Sequence, residues 1–362
     1  MGATSSEARD GDGVARTPIA RDLSFAVPRY KLTIAYDGTG FHGWQKQEPP
    51  VPDEAEASRR AYEVAAAEGL KPVIPGRVAL RTVQAIVERA VRRVVREPIE
   101  LKGASRTDSG VHARGQVAAF TCSPTEPPAQ AGDPADTERD TDSSETPAPS
   151  HTGWPIERGL DRLVRAINGK LPDDVQVLSV EVVSDDFNPI GDCLSKGYSY
   201  TLHVSTTRPL WDRRLVQQVW TELNVDRMRE AAARLVGEHD FAAFAAAGHG
   251  RQTTVRRVHA CDIVELPVKS MPQGAGDGSH EGDWSKVLRI EVSGSGFLYN
   301  MVRIIAGTLV EVGRGKMSPD DVSAAIESKD RRNAGPTLPA QGLCLEWIRY
   351  PLVRAESAEA KL

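Results

Sequence analysis

The segment Gly103-Ala104-Ser105-Arg106-Thr107-Asp108-Ser109-Gly110-Val111-His112-Ala113 places one carboxylate on a turn bracketed by two glycines, with an arginine two residues before it. Gly103 and Gly110 can take backbone conformations closed to other residues. The spacing therefore predicts a turn that projects Asp108 from a sheet edge toward a ligand. A carboxylate so presented can act as a nucleophile or a base at a carbon centre. Asp and Gly are also ordinary turn residues, and on spacing alone that reading carries more weight. Arg106 divides evenly between a solvated turn residue and a group that binds phosphate. Arg114, Lys196, Arg251, Arg256 and Arg257 suit phosphate contacts, although each alone is an ordinary surface charge. His112 and His239 lack a second ligand at metal-binding spacing, so both read as structural or RNA-contacting. A metal-dependent RNA hydrolase built on Asp37, Asp108 and His112 would need a carboxylate cluster that the sequence does not offer.

The elements that must hold this turn are legible as periodicities. Alternating apolar residues predict strands at Tyr30–Tyr36, Gln116–Phe120, Val175–Val183, Tyr198–Val204 and Lys286–Ser293. Helical spacing links Val83, Val87, Ala90, Val91 and Val94; Leu160, Leu163, Val164 and Ile167; Met228, Ala231, Ala232 and Leu235; and Leu298, Met301, Val302, Ile305 and Leu309. Strand-to-strand steps after Val175 predict an α/β (α+β) fold with a mixed, largely antiparallel sheet and helices on one face. Arg303 lies in the last helix, close to Met301 and Ile305. An unpaired charge among such residues is costly, so a partner is expected. Tyr198 and Tyr200 share one strand face, and Tyr200 reads as the core aromatic of the two.

Composition bounds the rest. A chain of 362 residues, 40% hydrophobic and 26% charged, fits a globular protein of about two domains. The four cysteines are dispersed, without a Cys-x-x-Cys pair, which fits a reducing compartment and argues against zinc. No apolar leader opens the chain and no run is long enough to cross a bilayer, so a cytoplasmic protein without a membrane partner is expected. Met1-Gly2 with Ser6 nominally matches an acylation pattern, as polar tails often do by chance. The net charge of −5 is misleading. Ser123–Ser150 holds seven acidic residues and one arginine; without it the charge is +1, and without Ser270–Ser285 as well it is +4. A mildly basic remainder suits phosphate contacts. Both segments read as insertions, as does Glu48–Leu80, with a short helix expected at Ala55–Ala67; the acidic one has the composition of a disordered loop.

Six further segments accompany the Asp108 turn in a fixed order. They are Tyr30–Gln45, with its Tyr-Asp-Gly-Thr loop; Asn168-Gly169-Lys170-Leu171-Pro172; Lys196-Gly197-Tyr198-Ser199-Tyr200; Gly237–Phe244; Gly296–Arg303; and Asp330 through Leu343. This ordered set resembles the TruA-type tRNA pseudouridine synthases across nearly all of the chain outside the insertions. The resemblance implies the pseudouridine-synthase fold: two similar halves flanking a basic RNA cleft. On this sequence the halves are 29–185, carrying Asp108 and the insertions 48–80 and 123–150, and 186–352, carrying Tyr198 and Arg303. Tails at 1–28 and 353–362 complete the chain.

The resemblance also implies roles. Asp108 is the essential nucleophile, Arg303 its cationic partner, and Tyr198 a ring that stacks on the target base and assists proton removal from C5. Arg106 helps displace that base from its stack, while Lys196 and Arg114 remain candidate RNA contacts. No cofactor or metal is implied. The implied substrates are tRNA uridines of the anticodon stem-loop, conventionally numbered 38 to 40, and family members act as homodimers. Action on other tRNA positions or other RNAs is the main alternative, and an RNA-binding protein without catalysis is a more distant one. Two positions depart from the family pattern: Ile190 stands where a basic residue is expected, and Ser109 where Ala is common.

Overall fold

The computed structural model describes residues 27–50, 63–73, 77–124, 152–246, 252–267 and 285–351. Arg251, the acidic insertion beyond Pro124, the 270–284 segment, most of the expected helix at 55–67 and nearly all of both expected tails lie outside these residues. Ten strands form one sheet: β1 (Arg29–Tyr36), β2 (Lys102–Gly103), β3 (His112–Thr121), β4 (Val175–Val183), β5 (Ser195–Val204), β6 (Gln217–Val219), β7 (Gly237–Asp240), β8 (Val255–Leu266), β9 (Lys286–Gly294) and β10 (Leu343–Arg349). The main helices are α1 (Val83–Val95), α2 (Leu160–Asn168), α3 (Val225–Ala233), α4 (Met301–Gly313) and α5 (Pro319–Ser328).

The strand order is β4-β1-β3-β10-β5-β9-β8-β7, with β2 paired to β3 and β6 to β5. All neighbouring pairs are antiparallel except β3 with β10 and β5 with β6. One sheet therefore runs through both expected halves, and β10 joins them. Alternation sets which face is buried. Tyr30, Leu32, Ile34 and Tyr36 of β1 are buried, as are Leu288, Ile290 and Val292 of β9, in one cluster with apolar residues of all five helices. The opposite faces of β1 and β9 are only half-buried, the pattern of a sheet covered on one side.

The helices form where the periodicity predicts. Eleven of the thirteen residues of α4 are buried, so it is a core helix, with Arg303 among the few exceptions. Pro319 and a Ser318–Asp321 capping box start α5, which apolar spacing alone did not reveal. Tyr200 is fully buried and its hydroxyl donates to the Pro339 carbonyl at 2.8 Å, as suits a core aromatic.

Candidate active site

The Asp108 turn is braced from below by the loop at 37–44. The Trp44 amide donates to the Thr107 carbonyl at 3.0 Å, and the Gly110 amide donates to the Phe41 carbonyl at 3.3 Å. The Tyr36 and Thr107 hydroxyls are 2.8 Å apart and buried. The two segments lie so close that glycine is required between them. A Cβ on Gly38 would sit 1.9 Å from the Val111 carbonyl oxygen, and one on Gly43, where φ is +84°, would lie 2.6 Å from the Thr107 oxygen. Gly110 does take a left-handed conformation, φ +80°. Gly103 does not; its requirement is packing, since a Cβ there would fall 2.2 Å from the Trp44 indole nitrogen. The sequence expectation for Gly103 is thus corrected from backbone freedom to close approach.

Arg303 of α4 meets Asp108 across the sheet. Its Nη1 lies 3.6 Å from the Asp108 Oδ2, and both side chains retain some exposure, 17% and 31%. Two other groups aim the guanidinium: Nε donates to the Leu338 carbonyl at 2.6 Å and Nη1 to the Asn300 side chain at 2.7 Å. Burial pushes the Asp108 pKa above the ordinary carboxylate range, and Arg303 opposes that rise by charge and hydrogen bonding. The carboxylate is half-buried rather than enclosed, so water and a substrate can reach it.

Tyr198 of β5 forms the third side. Its ring packs edge-to-face on Phe297, with centroids 5.3 Å apart, and its hydroxyl lies 3.0 Å from the Ser105 hydroxyl. Burial first, and then the Asp108 charge, push the phenol up to about 12, although the Ser105 hydrogen bond acts to lower it. At neutral pH it is a protonated hydrogen-bonding group, and it must give up its own proton before it can accept one. Ser105 is itself fixed by the fully buried Gln116, whose amide donates to the Ser105 carbonyl at 2.7 Å and accepts from its amide at 3.3 Å.

A family model described as "tRNA pseudouridine synthase" matches residues 32–153 and 231–351. The "tRNA pseudouridine synthase A" of Geobacter sulfurreducens is 36% identical over 88% of this chain and 98% of its own length. The protein of the same name from Clostridium acetobutylicum is 34% identical over the same shares. A "tRNA pseudouridine synthase A 2" from Clostridium perfringens is 33% identical, again over 88% and 98%. The chain belongs to the tRNA pseudouridine synthase family.

Among the other residues that the sequence singled out, Arg106 is exposed on the turn. Lys196 turns inward instead: its Nζ donates to the Ala104 carbonyl at 2.8 Å, four residues before Asp108. Arg114 pairs with Glu346 at 3.1 Å and Arg257 with Glu238 at 3.2 Å. His112 accepts from the Gly38 amide at Nδ1, 3.0 Å, and its Nε2 lies 3.2 Å from the Gln341 carbonyl. The same Nδ1 also lies 3.1 Å from the Asp37 Oδ1. His239 contacts the Val236 carbonyl and the Phe241 ring and is structural. Among the described residues no group of three or more His, Cys, Asp and Glu side chains is arranged to hold a metal.

Two departures from the synthase family pattern now have a setting. The Ser109 hydroxyl donates to the Phe41 carbonyl at 3.1 Å, adding a brace that an alanine cannot make. Ile190 is exposed in a turn capped by Asn188. Sequence reasoning missed Ser105, Gln116 and Phe297. It also missed Arg81, a nearly buried residue that stacks on Phe41 and pairs with Asp174 and Glu68 at 3.0 and 2.7 Å. Through Phe41 this cluster supports the Asp108 turn. The spacing Gly-Ala-Ser-Arg-Thr-Asp could have flagged Ser105; nothing local to Arg81 predicts a partner as distant as Asp174.

Proposed function

We propose that this protein converts uridine to pseudouridine in tRNA, with Asp108 as the essential carboxylate. The observation that carries the reading is the Asp108–Arg303 contact of 3.6 Å beside the Tyr198 ring, on the family's own motifs. Pseudouridine formation breaks the C1′–N1 bond, turns the freed uracil, and joins C1′ to C5. The C5 proton is lost and N1 gains one, so the product is an isomer and no redox partner is consumed. Asp108 serves either by attacking C1′ or by withdrawing a sugar proton; an ionised carboxylate is needed in both routes. Arg303 keeps it ionised against the cost of burial. Tyr198 and Phe297 supply an apolar wall against which the detached base can turn without escaping. Arg106 stands exposed on the same turn, placed to occupy the position that an extruded base vacates.

The preferred substrates are the anticodon stem-loop uridines 38 to 40, acted on by a homodimer in the cytoplasm. The halves 29–185 and 186–352 then form the two walls of the RNA cleft. No helix among the described residues is long and apolar enough to cross a membrane. The deciding experiment incubates transcribed tRNA with the wild type and with Asp108→Asn and maps pseudouridine by position. Isomerisation at 38 to 40 by the wild type alone is expected. Full activity of the variant would reject the site, and modification elsewhere would reject the positions while keeping the chemistry.

A further inference from the structure

We propose that the loop at 206–215, between β5 and β6, grips the phosphodiester backbone of the RNA substrate beside the target uridine. Arg208, Arg213 and Arg214 would meet the phosphates and the Trp211 ring would stack on a base. The inference rests on the tRNA-modifying reading above and adds to it a contact surface that the motifs do not include.

Three observations support it. First, the loop presents its side chains to solvent: Leu210, Trp211 and Leu215 are 66%, 72% and 46% exposed, and all three arginines are exposed. A monomer rarely leaves so much apolar ring surface open without a use for it. Second, the charge is only partly compensated. Against three arginines the loop holds one acid, Asp212, and among the described residues none of the three makes an ion pair with a carboxylate. Arg114 and Arg257, expected from sequence to contact RNA, are by contrast already paired. The loop's internal bonds order its backbone and leave the guanidinium groups largely available. The Leu215 amide donates to the Asp212 carbonyl at 2.8 Å, and Arg213 Nη1 donates to the Leu210 carbonyl at 2.6 Å. Arg208 lies 5.7 Å from the ring of Trp220, itself half exposed.

Third, the loop is tied to the catalytic turn. The carbonyl of Val216, where the loop ends, accepts from the Gln341 side chain at 3.3 Å. The Gln341 carbonyl contacts His112 Nε2, and His112 Nδ1 receives the Gly38 amide. Arg214 is also close enough to Asp37 to help lower its pKa, which burial acts to raise and Thr39 chiefly lowers. The end of the loop, with Arg214, is therefore connected to the segments that brace the Asp108 turn. Guanidinium groups interleaved with an exposed indole are the chemistry that holds unpaired RNA: phosphates pair with the cations and splayed bases stack on the ring. A second copy of this chain would use the apolar residues and leave the arginines unneutralised.

The test compares full-length wild type, Arg208→Gln/Arg213→Gln/Arg214→Gln, and Trp211→Ala. Binding of transcribed tRNA is measured across a salt series, with steady-state kinetics and sedimentation in parallel. The triple variant should bind about 10-fold more weakly at low salt, with a salt slope shallower by about 2, because fewer phosphates are neutralised. The loss should fall on KM rather than kcat. Trp211→Ala should weaken binding several-fold with the slope kept, and neither variant should change the sedimenting mass. Wild-type affinity and slope in the triple variant would overturn the proposal. So would a lower mass for Trp211→Ala, which would make this surface a subunit interface. Asp108→Asn separates the two readings: it should bind like wild type and still show the full effect of the loop substitutions.

Discussion

The Asp108 turn and the loop at 206–215 are linked through Gln341 and His112 and are built on opposite principles. The turn is braced by the loop at 37–44: the Trp44 and Gly110 amides and the Ser109 hydroxyl bond across, and Gly38, Gly43 and Gly103 allow the close approach. The 206–215 loop holds itself by a few internal bonds and turns its charges and ring outward. Bond exchange at a sugar carbon requires the carboxylate to be in position before the substrate arrives, since small displacements cost much of the rate. Gripping a flexible polyanion requires adaptable charge instead. The contrast separates residues that should govern turnover from residues that should govern affinity.

The largest effect should come from Asp108→Asn. Loss of the carboxylate should lower kcat by at least about 10³-fold, equivalent to about 4 kcal/mol of barrier, with tRNA affinity within a few-fold of wild type. A single-turnover assay together with filter binding checks both; a main effect on affinity would erase the division of labour. Gly38→Ala attacks the brace itself. The new methyl meets the Val111 carbonyl, so a backbone must move. Turnover should fall about 100-fold, with a melting temperature several degrees lower. Thermal unfolding with activity at saturating tRNA tests this, and an unaffected variant would show that the turn tolerates displacement.

Arg303→Ala should come next. It removes both hydrogen bonds that the guanidinium makes, to Leu338 and Asn300, and the contact with Asp108. Turnover should drop about 10- to 100-fold, with a loss of about 1–2 kcal/mol of stability. Arg303→Lys should recover only part, because one ammonium cannot reach all three acceptors in the fork geometry. The pH dependence carries a sign. Burial has raised the Asp108 pKa and Arg303 opposes the rise, so turnover falls as pH drops through the raised value. Without Arg303 that acid limb should move to higher pH. An unmoved limb would mean that the observed ionisation is not that of Asp108.

The smallest effect on turnover should come from Ser105→Ala. It deletes the hydroxyl 3.0 Å from that of Tyr198. We expect kcat to fall about 5-fold, in the range of one hydrogen bond, with KM held. In a Tyr198→Phe background the same substitution should add nothing. Additive losses in that double-mutant cycle would separate the two hydroxyls.

Much of this site was legible because its chemistry sits in short motifs. Asp108 and Gly110 share one turn, and Tyr198 and Arg303 lie on a strand and a helix whose periodicities stand out. What stayed hidden depends on distant partners. Lys196 looks like a surface cation until the strands align and its amine reaches the Ala104 carbonyl. Gly103 looks like a conformational glycine until Trp44 packs on it. Strands β6 and β7, of three and four residues, are too short for a period to register. Strand β10 is not expected from sequence, yet it lies near the middle of the sheet. That position follows from pairing with two strands far away in sequence, which no local pattern encodes.

The placement of β10 has a consequence for how the enzyme comes into being. Its residues pair with β3, which follows the Asp108 turn, and with β5, which carries Tyr198. The block β4-β1-β3 can close early, from strands that precede residue 184. The strand that joins it to β5 is the last one of the sheet to be synthesised, and such long-range pairing is slow. A nascent chain thus carries a finished carboxylate turn with no opposite wall. A chain that stops short of β10 lacks the one strand that pairs with both β3 and β5.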